Sequence, residues 1–186
     1  KFPTQDAMER KDYLWKHVHH IALHMERMDK PVIACINGVA RGAGLDMALM
    51  CDMRTMAATA TVAEAYINMG LIAGDGGGYF LPRLVGTARA LEMLWRGNVV
   101  NATDAERYGL VNHVFADDTV LAETMKIARE IAAQSQPAIR FFKRTVYQSR
   151  DMSLVAHLDM VSSHMSVLED LEEQRAKVAA FANRKR

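Results

Sequence analysis

No apolar run in this 186-residue chain approaches the roughly 18 residues that a membrane-crossing helix needs. No leader-like segment opens it either. An excess of one charge is also missing. Its 23 lysines and arginines stand against 22 aspartates and glutamates, interspersed along the chain, for a net charge of +1. That balance argues against a nucleic-acid surface. Only two cysteines are present, Cys35 and Cys51, without CxxC spacing. They read as buried, reduced thiols of a cytoplasmic protein. The Gly-Lys-Ser/Thr of a phosphate-gripping loop is absent, and a dinucleotide GxGxxG starting at Gly42 fails because Met47 stands where Gly or Ala is required. His17, His19, His20 and His24 invite a metal site, and His20 and His24 share a helix face. No Glu follows His20 and no third ligand is evident, so they read as a polar face without metal.

What is present suits one sizeable core with a helical appendage, since half of the residues are hydrophobic. Residues 6–28 carry helical spacing that stops before Pro31. Residues 31–37 read as a strand, 43–51 as a helix and 53–62 as a second strand, leading to a short segment at 63–66. Helices are expected over 78–85, 87–95 and 103–108, the last with Thr103 as N-cap, and a final strand over 109–115. From Thr119 onward everything reads as helix: 119–134, 137–149, 153–170 and 172–183. The expected division is therefore a strand-bearing part, 1–118, and a helical part, 119–186.

The most informative stretch runs from Lys30 to Asp52. An apolar strand turns at Asn37-Gly38, passes through Gly42-Ala43-Gly44 and enters a helix with Asp46 in its first turn. Free N–H groups at a helix start can hold an oxygen on which negative charge develops, and a carboxylate one turn on can move a proton. Together they suit chemistry that passes through an enolate. Taken alone, Asp46 serves equally as a favourable charge at the helix start. Asp75, among the glycines of 70–78, reads either as an N-cap or as a second acid. Met47, Met50, Met53 and Met56, among thirteen methionines, suit a core or the wall of an acyl tunnel. Lys143-Arg144 and the terminal Arg184-Lys185-Arg186 are candidate phosphate contacts beside a reading as solvated charge.

The order of residues resembles the enoyl-CoA hydratase/isomerase (crotonase) superfamily. The likeness rests on Lys30-Pro31 through Asp46 to Cys51-Asp52, on Gly70-Leu71-Ile72-Ala73-Gly74-Asp75-Gly76-Gly77, on Leu81-Pro82-Arg83-Leu84-Val85-Gly86, and on Ala105 to Val114. It implies an α/β fold, a crotonase-like spiral of ββα units with a C-terminal helical trimerisation region. It further implies a homo-trimer or hexamer, an acyl-CoA substrate, and no cofactor beyond the coenzyme A of that substrate. Family chains usually run longer at the N-terminus, so this one, opening at Lys1-Phe2-Pro3, is expected to lack the first strands and one of two oxyanion donors. The other donor is the N–H of Ala43, with Gly42 and Gly44 allowing close approach, and Lys143 is placed with the coenzyme.

By the same resemblance Asp46 falls on the family's first catalytic acid, usually Glu. The second falls on Tyr66, a poor base at neutral pH, with Glu64 two residues earlier, on the same side if the segment is extended. Asp75 is then the second acid, as in branches that draw a carboxylate from this loop. The implied activity is an enoyl-CoA hydratase. Alternatives are an enoyl- or dienoyl-CoA isomerase, a CoA-thioester hydrolase or decarboxylase, and a non-catalytic acyl-CoA-binding subunit.

Overall fold

Asp6 caps the first helix: its carboxylate accepts the N–H groups of Met8 and Glu9, while Glu9 reaches back to the Asp6 N–H. The computed structural model describes residues 6–184. Helix α1 (Ala7–Tyr13) runs through one wide π turn (Leu14–Val18) into α2 (His19–Arg27), so the expected N-terminal helix is present with a bulge in it.

The chain forms two units. One holds the N-terminal stretch to Met28 together with Val32–Ala128; the other holds Asp29–Pro31 and the chain from Arg129 onward. The boundary falls inside a helix, later than the expected junction at 118/119. Val120 and Thr124 explain why: both are buried in the first unit, where the Thr124 hydroxyl meets that of Thr55 at 2.6 Å.

In the first unit β1 (Ile33–Ile36) is followed by β2 (Val39–Arg41) and α3 (Ala43–Leu49). Next come β3 (Met53–Ala57), β4 (Thr61–Ala63), a 3-10 turn (Ala65–Met69), α4 (Gly77–Val85) and α5 (Thr87–Arg96). The unit continues with β5 (Val100–Asn101), α6 (Ala102–Arg107), β6 (His113–Phe115) and the start of α7 (Val120–Ala132). Strands β1, β3 and β6 form a parallel sheet; β2, β4 and β5 form another, with β5 antiparallel to β4. The β1-β2 and β3-β4 pairs each contribute one strand to each sheet before a helix follows, as in the expected ββα spiral, while α6 parts β5 from β6.

That alternation corrects the strand expectations. The single strand over 53–62 is two strands in different sheets, because the chain bends at Ala58-Thr59, where Asp117 accepts both the N–H and the hydroxyl of Thr59. Strand β2, beyond the Asn37-Gly38 bend, was not foreseen. The last strand begins at His113 rather than 109, and the N-cap of α6 is Asn101, whose side chain accepts the Asp104 N–H, not Thr103. Cys35 and Cys51 form no disulfide among the described residues and are half-buried rather than fully buried.

The core lies between sheets and helices. Leu45, Met56, Val62, Leu81 and Leu110 are sealed from solvent. Met50 joins them, but Met47 is exposed. Arg54 is buried too, and its guanidinium donates to the carbonyls of Leu110, Cys51 and Ala48, at 2.7, 2.7 and 3.3 Å. Arg54→Met strands those carbonyls in the interior. The expected loss of stability is on the order of 3 kcal/mol, to be read from the midpoint of urea unfolding.

The second unit holds the rest of α7, α8 (Gln136–Gln148), α9 (Leu154–Glu169) and α10 (Glu172–Arg184). Pro137 sits in the first turn of α8, and Ser153 caps α9 by accepting the Ala156 N–H. Among the described residues no helix is long and apolar enough to cross a membrane.

Candidate active site

Strand β2 delivers the chain to α3 through Gly42, whose φ of +52° favours a residue without Cβ. Its N–H donates to Ala63 at the end of β4, and its carbonyl accepts the Asp46 N–H. The face of Gly42 is covered by the Tyr66 ring, 3.6 Å from where a Cβ would stand. Ala43 and Gly44 are exposed and form the first turn of α3, where N–H groups have no acceptor within the helix. A backbone donor is therefore presented beside the acid one turn on.

Asp46 is fully buried. Its Oδ2 accepts the Tyr66 hydroxyl at 2.8 Å and the Asp75 N–H at 3.2 Å. The same hydroxyl lies 3.1 Å from Asp75 Oδ2. A phenol has one proton, so Tyr66 serves one carboxylate at a time. Burial pushes the Asp46 carboxyl above the usual range, against the Tyr66 hydrogen bond that lowers it. Burial first, then the Asp46 hydrogen bond and charge, raise the Tyr66 phenol far above its ordinary value, so it remains a neutral donor.

The structure thus brings Asp46, Tyr66 and Asp75 together beside Gly42, Ala43 and Gly44. Two local expectations change. Residues 64–66 are not extended: Glu64 stands between β4 and the 3-10 turn, and Tyr66 lies in that turn. Asp75 is not an N-cap, since Gly76 holds that place before α4 and no side chain caps it. The Asp75 loop is held by His19 of α2, whose Nε2 lies 2.9 Å from the Gly74 carbonyl. No group of three potential metal ligands occurs among the described residues.

Glu64 matters more than its sequence reading suggests. It is 1% exposed, and among the described residues neither of its carboxyl oxygens has a hydrogen-bond partner; the same holds for Asp46 Oδ1. Both carboxyl groups border Gly77, where a Cβ would stand 2.7 Å from Glu64 Oε1 and nearer still to Asp46 Oδ1. Burial, reinforced by the Asp46 charge, pushes the Glu64 carboxyl up to about 8. The sequence signal was an acid closing the apolar run Val62-Ala63.

Lys143 belongs to the other unit. Its Nζ donates to the Lys30 carbonyl at 3.0 Å, and Arg144 forms a two-pronged pair with Asp29. The side chains of the terminal Arg184-Lys185-Arg186 lie outside the described residues.

Residues 3–186 match the enoyl-CoA hydratase/isomerase family. A probable enoyl-CoA hydratase of Rhizobium meliloti is 35% identical over 88% of this chain and 63% of its own length. A crotonyl-CoA hydratase of Syntrophomonas wolfei is 33% identical over 87% of this chain and 62% of its own. The chain spans just under two thirds of the length of these two relatives. The crystal structure of a probable enoyl-CoA hydratase/isomerase from Mycobacterium abscessus superposes with a TM-score of 0.89 at 34% identity, covering 100% of this chain and 72% of that one. The motifs, the two-sheet spiral and these likenesses agree: the chain belongs to the enoyl-CoA hydratase/isomerase family.

Proposed function

We propose that the protein is an enoyl-CoA hydratase, adding water across the double bond of a 2-enoyl-CoA. The observation that carries this reading is the convergence of Asp46 and Asp75 on one hydroxyl, with Oδ2 atoms 2.8 and 3.1 Å from Tyr66 Oη. Two carboxyl groups so placed can orient a water, one accepting its proton as the oxygen attacks C3 and the other supplying the proton at C2. The thioester carbonyl accepts the Ala43 N–H while the enolate exists, with Gly42 and Gly44 leaving room for it. Relatives named as hydratases support the same reading. The chemistry is proton transfer and calls on no metal or redox group. Lys143 is the candidate cation for the coenzyme's phosphates. We place the enzyme in the cytoplasm, where thiols such as Cys35 and Cys51 stay reduced.

Incubation with crotonyl-CoA tests the activity. The enoyl-thioester absorbance is expected to fall as 3-hydroxyacyl-CoA appears with one solvent oxygen incorporated. A second reading, an enoyl-CoA isomerase, is favoured by the Tyr66 phenol, which stands between the two carboxyl groups as a proton relay would. It requires conversion of a 3-enoyl-CoA without uptake of solvent oxygen.

The proposal extends to assembly. Leu154, Val155, Leu158 and Met165 of α9 are all at least half exposed. An apolar groove of about 360 Å³, lined by Ile139, Phe142, Met165, Leu168 and Leu171, lies in the same unit. So much apolar surface on outlying helices calls for another copy of the chain. Light scattering at micromolar concentration is expected to give a trimer or hexamer; a monomer would refute it.

A further inference from the structure

Two buried acids of the first unit face each other through oxygens to which nothing donates. Among the described residues no N–H or O–H donor reaches Asp46 Oδ1 or either oxygen of Glu64. Gly77 shows where these atoms point, since both carboxyl groups crowd the place its missing Cβ would take. Two ionised carboxylates, sealed from water and with no donor at the facing oxygens, would be a costly arrangement. One shared proton removes the repulsion and satisfies the facing oxygens together.

We propose that Glu64 is a positioning residue that stays protonated and donates its carboxyl proton to Asp46 Oδ1, so that the pair carries one negative charge, displayed at Asp46 Oδ2. The consequence for catalysis rests on the reading of Asp46 as the proton-transfer group. The shared proton fixes the rotation of the Asp46 carboxyl, so that Oδ2, which meets the Tyr66 hydroxyl and the Asp75 N–H, is the oxygen that exchanges a proton with substrate or water. Glu64 itself gains and loses nothing over a turnover. The charges that act on it are Asp46 from α3 and Asp75 from the loop, both acidic. Tyr66 adds a neutral phenol bonded to Asp46, and Gly77 of α4 adds none.

The native state therefore holds a proton that the unfolded chain releases around the ordinary value of 4.5. Where the native state binds more protons than the unfolded one, stability falls as pH rises. This contribution is fully favourable below 4.5 and is lost progressively toward about 8.

The experiment follows the melting temperature of the protein and of Glu64→Gln from about pH 4 to about pH 9. Gln offers an N–H to Asp46 Oδ1 but has no proton to lose. Its curve is expected to flatten, lying above the parent's in the alkaline range and converging with it in acid. The pH dependence of kcat/KM on crotonyl-CoA is read beside it. Glu64→Gln is expected to keep turnover within about tenfold and to lose the alkaline decline, while Glu64→Leu, with no donor, falls at least about tenfold further. A Gln variant whose melting follows pH as the parent's does would overturn the shared proton. Equal activity of the Gln and Leu variants would overturn the positioning role. Melting needs no substrate, so it judges the carboxyl pair whatever the protein's activity on enoyl-CoA thioesters proves to be.

Discussion

Asp46→Asn is expected to lower turnover of crotonyl-CoA by about 10³-fold, within the range for removal of a general acid or base. The fold should tolerate the change, for the side chain keeps its size in the first turn of α3. The amide keeps an oxygen for the Tyr66 hydroxyl and the Asp75 N–H, but that oxygen takes up no proton. Asp75→Asn separates the two reaction types. In a hydratase it removes half of the water-orienting pair and costs about 10²-fold. In an isomerase that shuttles its proton through Asp46 alone, the loss is slight. Single-turnover rates for both variants on 2-enoyl and 3-enoyl thioesters decide the matter. An Asp46→Asn protein that matched the parent on every enoyl-CoA would overturn both versions and leave an acyl-CoA-binding subunit.

Ala43→Pro is the second large effect. Proline has no N–H, so the substitution deletes the proposed oxyanion donor and little else. At the first position of a helix its ring is well accommodated, and no intrahelical bond is lost. The expected cost is about 2.7–4 kcal/mol of transition-state stabilisation, roughly 10²- to 10³-fold in kcat. Ala43→Gly keeps the donor and should remain active. Stopped-flow measurement of kcat, with far-ultraviolet circular dichroism to check the fold, tests the pair. Near-normal turnover by the proline variant would remove the start of α3 from the carbonyl site.

Much of this site was legible before any coordinates, because its parts lie on short, strongly marked segments. Gly42-Ala43-Gly44 and Asp46 are consecutive on a strand–loop–helix stretch whose residue order fixes their relation. Asp75 and Tyr66 were harder, since their meeting depends on a 3-10 turn and a glycine loop that fold back onto α3. An Asp among glycines carries the same local signal for a cap as for a catalytic acid, and only the hydroxyl it faces separates the two. Glu64 was weighed only by its distance along a strand from Tyr66. Its importance comes from burial and the absence of donors, neither of which spacing encodes. The C-terminal helices, read from periodicity, lie within a few residues of their observed ends. The strand over 53–62 failed because no Gly or Pro parts its halves, and only their partners in separate sheets show where one ends.

The alternation of strands between two sheets also dictates an order of events during folding. The pairing of β3 with β6 joins Thr55 to His113, so the first sheet cannot be completed until the chain between them, with β4, β5 and three helices, has been laid down. Closing a loop of that length costs conformational entropy before any contact repays it, and distant pairings of this kind slow folding. During synthesis β1 and β3 can pair early, leaving one edge of β3 unfilled until β6 emerges from the ribosome. The same interlacing resists damage: a single cut in the loop between Gly70 and Gly76 would leave β1 and β3 on one fragment and β6 on the other, still joined as neighbours in one sheet.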